Sequence, residues 1–67
     1  MRFNLIKFRK GLKLRQEDMA LKLGISRPHY SKIENGIKKP KFEMMEKFEE
    51  VFKDQYEDIW ELFKEED

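Results

Sequence analysis

Four cationic side chains lie in the short segment between residues 27 and 39, namely Arg27, Lys32, Lys38 and Lys39. A guanidinium presents two parallel donors that match the O6 and N7 acceptors of guanine in the major groove of B-DNA. Ammonium groups neutralise phosphates without regard to base sequence. The residue types in this segment therefore favour recognition of a polyanion over catalysis.

Charge is divided unevenly along the 67 residues, although the net charge is only +1. Residues 1–40 contain eleven Lys and Arg against three Asp and Glu, a net charge of +8. Residues 41–67 contain four against eleven, a net charge of −7. A basic half is typical of a nucleic-acid-binding protein, whereas the alternative is that both halves are simply solvated helix faces.

The composition argues against several other classes of protein. Cysteine is absent, which excludes disulfides and thiolate chemistry and is compatible with a reducing cytoplasm. No apolar run approaches the roughly 20 residues of a membrane span. His29 is the only histidine, and no nucleophile–base motif or Gly-rich phosphate loop is present. We therefore expect a soluble cytoplasmic protein that is not an enzyme and has no metal or cofactor.

Apolar residues recur at helical spacing through almost the whole chain, and no alternating segment predicts a strand. The pattern predicts an all-α fold of five helices in one compact domain that covers residues 1–67. Tyr30, Met44, Met45 and the phenylalanines are expected in its core. The predicted helices cover about residues 3–11, 16–23, 27–35, 42–53 and 55–64.

The second and third predicted helices are separated only by Gly24, Ile25 and Ser26. Glycine supplies the left-handed conformation that ends a helix, serine is a good N-cap, and Pro28 is tolerated in a first turn. Two short helices joined in this way form a helix-turn-helix, here at about residues 16–35. The flanking helices must complete its core, which leaves the start of the third helix facing outward.

The chain resembles the lambda repressor/Cro-like helix-turn-helix domains over about residues 3–64. The resemblance is carried by F-R at residues 8–9, L-x-Q-E-D-M-A-x-x-L-G-I-S at 14–26, S-K-I-E-N-G at 31–36 and P-K-F-E-M-M at 40–45. It implies that Arg27, Pro28 and Lys32 contact DNA bases. The positions that it assigns to the DNA backbone are Gln16, Ser26, Asn35, Lys38 and Lys39.

Other positions carry further expectations. Arg9 and Glu34 match a buried ion pair that is structural rather than catalytic. Arg15 and Lys41 replace the usual caps of the second and fourth helices, and we expect Arg15 to contact the DNA backbone instead. His29 is expected to be exposed near the DNA and to contact its backbone.

Arg27 and Lys32 lie five residues apart, so they are about 140° apart around a helix and flank its exposed face. Pro28 cannot donate a hydrogen bond and is expected to contact a thymine methyl group. Lys13 stands where the family often ends its first helix with glycine, whereas Gly11 lies two residues earlier. The sequence therefore leaves the end of the first helix open.

The resemblance implies double-stranded DNA as the partner and a homodimer that represses transcription from a palindromic operator, with half-sites about one helical turn apart. Tyr56, Trp60 and Phe63 are the candidate dimer contacts, and a regulatory protein partner is compatible with this function. The alternatives are an antitoxin or a restriction–modification controller of the same fold, or a protein-interaction module without DNA affinity.

Overall fold

The computed structural model describes residues 1–66, in which there are four α-helices, one 3₁₀ helix and no strand. The predicted all-α fold is therefore confirmed, and the first four helices lie within one residue of their predicted bounds. The Cα atoms extend over 27 × 25 × 23 Å along the three principal axes. The helices are α1 (Phe3–Gly11), α2 (Gln16–Leu23), α3 (Arg27–Glu34), α4 (Phe42–Phe52) and the 3₁₀ helix (Ile59–Glu66).

The fifth helix differs from the prediction in its start and in its type. It was expected from about residue 55, but residues 53–55 form a turn in which the N–H of Gln55 donates to the carbonyl of Phe52 at 2.9 Å. The helix then begins at Ile59 as a 3₁₀ helix. Ile59 and Leu62 are both buried and lie three residues apart, a spacing that the three-residue turn of a 3₁₀ helix places on one face.

One face of each helix contributes to a single core. Phe8 of α1 packs edge-to-face against Phe52 of α4, with ring centroids 5.3 Å apart, and against Tyr56 at 5.5 Å. Tyr30 is buried, as predicted. The buried apolar residues are Leu5, Met19, Ala20, Leu23, Tyr30, Ile33, Met45, Phe48, Phe52, Ile59 and Leu62.

The prediction that every phenylalanine belongs to the core is wrong. Phe3 and Phe42 are 61% and 65% exposed, and Met44 is only half-buried. Phe3 and Phe42 are the first residues of α1 and α4. Phe42 instead lies against Trp60 on the surface, with ring centroids 6.0 Å apart.

Arg2 is buried, although it is one of the eleven basic residues that give residues 1–40 their positive charge. Its side chain is 1% exposed and its guanidinium donates to the carbonyls of Ile33 and Lys38, the latter at 3.1 Å. Its backbone N–H donates to the carbonyl of Glu34 at 2.8 Å, and its guanidinium carbon lies 5.5 Å from the centre of the Phe63 ring. Arg2 therefore joins the N-terminus of the chain to the C-terminal end of α3, where a cation is favourable.

The first helix, whose end the sequence left open, ends at Gly11. The chain then turns through Lys13 rather than through a glycine. Lys13 has φ 61°, the left-handed conformation in which a side chain is disfavoured. Its N–H donates to the carbonyl of Lys10 at 2.9 Å, and the N–H of Leu14 donates to the carbonyl of Arg9 at 3.3 Å. The turn is thus held by backbone hydrogen bonds while Lys13 carries conformational strain.

Replacing Lys13 with glycine should stabilise the protein, because glycine adopts a positive φ without steric cost. We expect Lys13→Gly to increase the free energy of unfolding by about 1 kcal/mol. For a domain of this size, this increase corresponds to a rise of about 4–8 °C in Tm. The matched control is Lys10→Gly within α1, which removes the same charge and should lower stability by about 1 kcal/mol. A thermal melt in which Lys13→Gly is no more stable than the original protein would contradict the strain at this turn.

Candidate nucleic-acid interface

The turn between α2 and α3 is specified locally. Gly24 has φ 73°, the left-handed conformation that ends α2. The Ser26 hydroxyl accepts a hydrogen bond from the backbone N–H of His29 at 3.2 Å and so caps α3, while Pro28 occupies its first turn. Ile25 is half-buried and packs against the core beneath the turn. Each feature follows from the residue type at its position.

The structure leaves the three predicted base-contacting residues in solvent. Arg27, Pro28 and Lys32 are all exposed on α3. The opposite face of the same short helix is anchored in the core, so the exposed face is held in one orientation. The buried residues of α3 are Tyr30, Ile33 and Glu34.

Most of the residues predicted to contact the DNA backbone flank this exposed face. Ser26, Asn35, Lys38 and Lys39 are exposed. The loop after α3 is tied back to the helix, since the N–H groups of Ile37 and Lys38 both donate to the carbonyl of Lys32, at 3.0 and 3.1 Å. Lys38 and Lys39 are therefore held close to the end of α3.

His29 is less accessible than predicted. Its side chain is half-buried rather than exposed, and it lines a groove between the turn and α4 together with Met44 and Lys39. His29 lies in the first turn of α3, about 160° around the helix from Arg27 but only about 60° from Lys32, and it borders the groove beside α4. Contact between its imidazole and a DNA backbone is consequently more restricted than the sequence indicated.

A buried carboxylate braces this interface from behind. Glu34 is 2% exposed and accepts hydrogen bonds from residues on three helices. Arg9 of α1 donates through Nε at 2.5 Å, Gln16 of α2 through Nε2 at 3.0 Å, and Tyr30 of α3 through its hydroxyl at 2.6 Å. Arg9 also donates to the carbonyl of Leu14 at 2.9 Å. The ion pair predicted between Arg9 and Glu34 is thus part of a larger network.

The network keeps Glu34 ionised despite its burial. Burial by itself would raise the pKa of Glu34, but the hydrogen bonds from Arg9, Tyr30 and Gln16 outweigh it and lower that pKa. Burial and the hydrogen bond to Glu34 raise the pKa of Tyr30, so its hydroxyl stays protonated and can donate. The hydrogen bond with Glu34 likewise raises the pKa of Arg9. The site therefore contains one buried negative charge that is fully paired.

The resemblance implies that Gln16 both contacts a phosphate and braces the recognition helix, and the structure shows the bracing contact. Its amide nitrogen is engaged with Glu34, so it braces α3 against α2. The side chain remains half-buried at the start of α2. A contact between Gln16 and a phosphate would therefore have to use the atoms of the amide group that Glu34 leaves free.

Arg15 is occupied by neighbouring acids. The carboxylate of Asp18 accepts from the backbone N–H of Arg15 at 2.8 Å and from its Nε at 3.2 Å, and Glu17 lies 3.7 Å from the guanidinium. This contact raises the pKa of Arg15 and lowers that of Asp18. Asp18 is the third residue of α2, and its carboxylate accepts the backbone N–H of the N-cap residue Arg15. This hydrogen bond offsets the missing serine or threonine cap. Arg15 would have to leave Asp18 to contact a phosphate.

The three candidate dimer residues differ in exposure. Trp60 is 38% exposed and its indole N–H donates to the carboxylate of Glu49 at 3.0 Å. Tyr56 and Phe63 are half-buried and pack against core rings, Phe63 lying 5.3 Å from Phe48. Trp60 is therefore the most accessible of the three, and exposed Phe42 lies beside it.

Sequence reasoning missed two residues that shape the interface. Asp18 could have been found, since an acid three residues after a helix N-cap is the spacing of a capping box. Arg2 had no comparable signal, because its partners Ile33 and Lys38 lie 31 and 36 residues away along the chain. Only the packing of the N-terminus against α3 brings them together.

Comparison with known proteins supports the helix-turn-helix geometry. A helix-turn-helix family model matches residues 5–53, which include α2, α3, α4 and all but the first two residues of α1, and so the whole of the proposed interface. No curated protein and no solved structure matches the chain significantly. Within the described residues, every helix is too short or too polar to cross a membrane.

Removing the charge of Glu34 should destabilise the protein strongly, because it leaves Arg9 partly buried without its counter-ion. We expect Glu34→Gln to reduce the free energy of unfolding by about 3 kcal/mol or more at pH 7. The control is Glu46→Gln on the exposed surface of α4, which should change stability by less than about 0.5 kcal/mol.

The same variant gives a pH test. Because the pKa of Glu34 is lowered on folding, its stabilising contribution is present above the unfolded value near 4.5 and is lost as the pH falls through the folded value. Urea unfolding should therefore show a large difference between Glu34→Gln and the original protein at pH 7, and a smaller one at pH 3. Equal stability at pH 7 would show that the network contributes nothing.

Proposed function

Because the chain belongs to the helix-turn-helix family, of the lambda repressor/Cro-like type, we propose that it represses transcription as a homodimer bound to a palindromic operator. Membership of the family makes it a DNA-binding, transcription-regulator-type domain. The proposal adds the repressor role, the dimer and the contacts of individual residues. The observation that carries it is the exposure of Arg27 and Lys32 on a helix whose other face is anchored in the core.

In this proposal, the start of α3 enters the major groove. Arg27 donates its two parallel N–H groups to O6 and N7 of a guanine, and Pro28 contacts a thymine methyl group. Lys32, one turn further along, contacts a base on the other side of the exposed face. Glu34, Arg9 and Gln16 do not touch DNA bases but hold α3 at the angle that this docking requires.

The DNA backbone is held by groups on both sides of α3. Lys38 and Lys39 neutralise phosphates beyond its C-terminal end, and Asn35 and Ser26 contribute neutral hydrogen-bonding groups. Arg15 and His29 are secondary contacts, since Arg15 is paired with Asp18 and His29 is half-buried. Repression then follows because the bound protein occludes RNA polymerase.

The dimer contact is assigned to the exposed edge that contains Trp60 and Phe42, with Tyr56 and Phe63 at its inner side. The Cα atoms of one molecule extend over 27 × 25 × 23 Å, so two molecules can lie side by side on one face of a duplex. In the proposed dimer, the two recognition helices enter successive major grooves, which are about 34–36 Å apart. In this dimer, Tyr56 and Phe63 remain largely within the fold of each molecule. The regulator acts in the cytoplasm on double-stranded DNA.

Selection of bound sites from random duplex DNA tests the whole proposal. We expect a palindrome with half-sites about 10 base pairs apart, centre to centre. Selected sites without two-fold symmetry would contradict the dimer, and the absence of any enriched sequence would contradict base recognition.

Arg27→Ala should relax the sequence preference at one base pair in each half-site. Loss of a bidentate contact to guanine is expected to cost about 1–3 kcal/mol on the selected operator and much less on a site altered at that base pair. Binding is measured on both duplexes by fluorescence anisotropy. The control is Lys22→Ala, an exposed cation of α2. An equal loss for Arg27→Ala on both duplexes would show that Arg27 contacts the backbone only.

Lys38→Ala combined with Lys39→Ala should weaken binding to all duplexes by a similar factor. Because each neutralised phosphate adds about 0.9 to the slope of log K against log salt concentration, the slope should fall by about 1.8. The matched control, Lys53→Ala with Lys64→Ala, removes two exposed cations from the acidic half and should leave the slope nearly unchanged. A double variant at 38 and 39 with the original slope would remove these lysines from the interface.

A further inference from the structure

A groove of about 400 Å³ lies between the α2–α3 turn, the loop before α4 and the first half of α4. Its apolar lining includes Leu23, Ile25, Pro40 and Met44, of which Leu23 is buried and the other three are half-buried. Volumes of about 300–1,000 Å³ are typical of small-molecule sites. The groove can therefore accommodate an apolar body the size of one or two rings.

The edge of the groove is strongly cationic. Four exposed lysines line it, against a single exposed acid, Glu43. Two of them, Lys41 and Lys47, belong to the start and the second turn of α4 and so lie beyond the proposed DNA contacts. The Lys47 ammonium is 3.8 Å from the carboxylate of Glu50, an exposed pair that a ligand can displace at little cost. The four lysines are Lys38, Lys39, Lys41 and Lys47.

We propose that this groove binds a small amphipathic carboxylate, whose apolar body lies on Ile25 and Met44 and whose charge is held by the lysines at the edge. The DNA backbone alone does not explain the groove, since phosphates need cations but no half-buried apolar surface. Charge complementarity selects an anion, and the apolar lining selects one with an aromatic or branched aliphatic body.

Occupation of the groove regulates DNA binding, an inference that rests on the proposed function. Lys38 and Lys39 line the groove and are also the proposed phosphate contacts. A carboxylate beside them neutralises the charge that the DNA backbone would otherwise meet. The two ligands therefore compete, and by linkage each lowers the affinity of the protein for the other by the same factor.

The test uses 2-naphthoate as the probe and 2-naphthamide as its neutral counterpart. In an NMR titration of the DNA-free protein, 2-naphthoate should cause saturable shifts at the methyl groups of Ile25 and Met44. The Kd for the amide should be at least about fivefold higher than the Kd for 2-naphthoate. Lys47→Gln should raise the Kd for 2-naphthoate about two- to fivefold, because it removes one exposed charge from the edge. The matched control Lys53→Gln, in the turn directly after the same helix and outside the groove, should leave the Kd unchanged.

Several results would overturn the proposal. These are the absence of saturable shifts, shifts that avoid Ile25 and Met44, equal binding of the amide, or an unchanged Kd for a folded Lys47→Gln. A second arm measures the affinity for the operator at increasing concentrations of 2-naphthoate. The apparent Kd for DNA should rise, and the midpoint of this rise should agree with the Kd for 2-naphthoate found by NMR. An unaffected operator affinity at saturating 2-naphthoate would overturn the competition. If the protein binds no DNA, the proposed function fails, while the NMR arm still decides whether the groove is a site.

Discussion

The buried carboxylate of Glu34 is the interaction on which the helix-turn-helix geometry depends. A charge removed from water is tolerated only when nearby donors replace its hydration. These donors come from Arg9 on α1, Gln16 on α2 and Tyr30 on α3, so the charge is satisfied only when the three helices have one relative arrangement. The orientation of the exposed face of α3 follows from that arrangement.

Both ends of α3 are also secured, by different means. At its start, Ser26 caps the helix and Gly24 makes the turn that separates it from α2. At its end, the guanidinium of Arg2 binds the carbonyls of Ile33 and Lys38, and the backbone N–H of Arg2 binds the carbonyl of Glu34. A helix of only eight residues would be marginal alone, and these contacts hold it as a rigid support for Arg27 and Lys32.

The cationic surface is smaller than the net charge of residues 1–40 implies. Arg2 and Arg9 are used inside the fold, and Arg15 is paired with Asp18 and Glu17. The cations that remain exposed around α3 and its following loop include Arg27, Lys32, Lys38 and Lys39. Charge counting therefore locates the cations in residues 1–40 but does not say which of them face solvent.

The sequence by itself determined the all-α fold, the positions of α1 to α4 apart from the end of α1, and the turn at Gly24 and Ser26. These features depend on residues within four positions of each other, through helical hydrogen bonds, caps and apolar spacing. Only the tertiary structure decided that Arg2 is buried, that His29 is half-buried and that Phe42 is exposed. It also decided that the last helix begins at Ile59 as a 3₁₀ helix. Burial depends on contacts between segments that are distant along the chain, and residue type and local spacing carry no information about which segments meet.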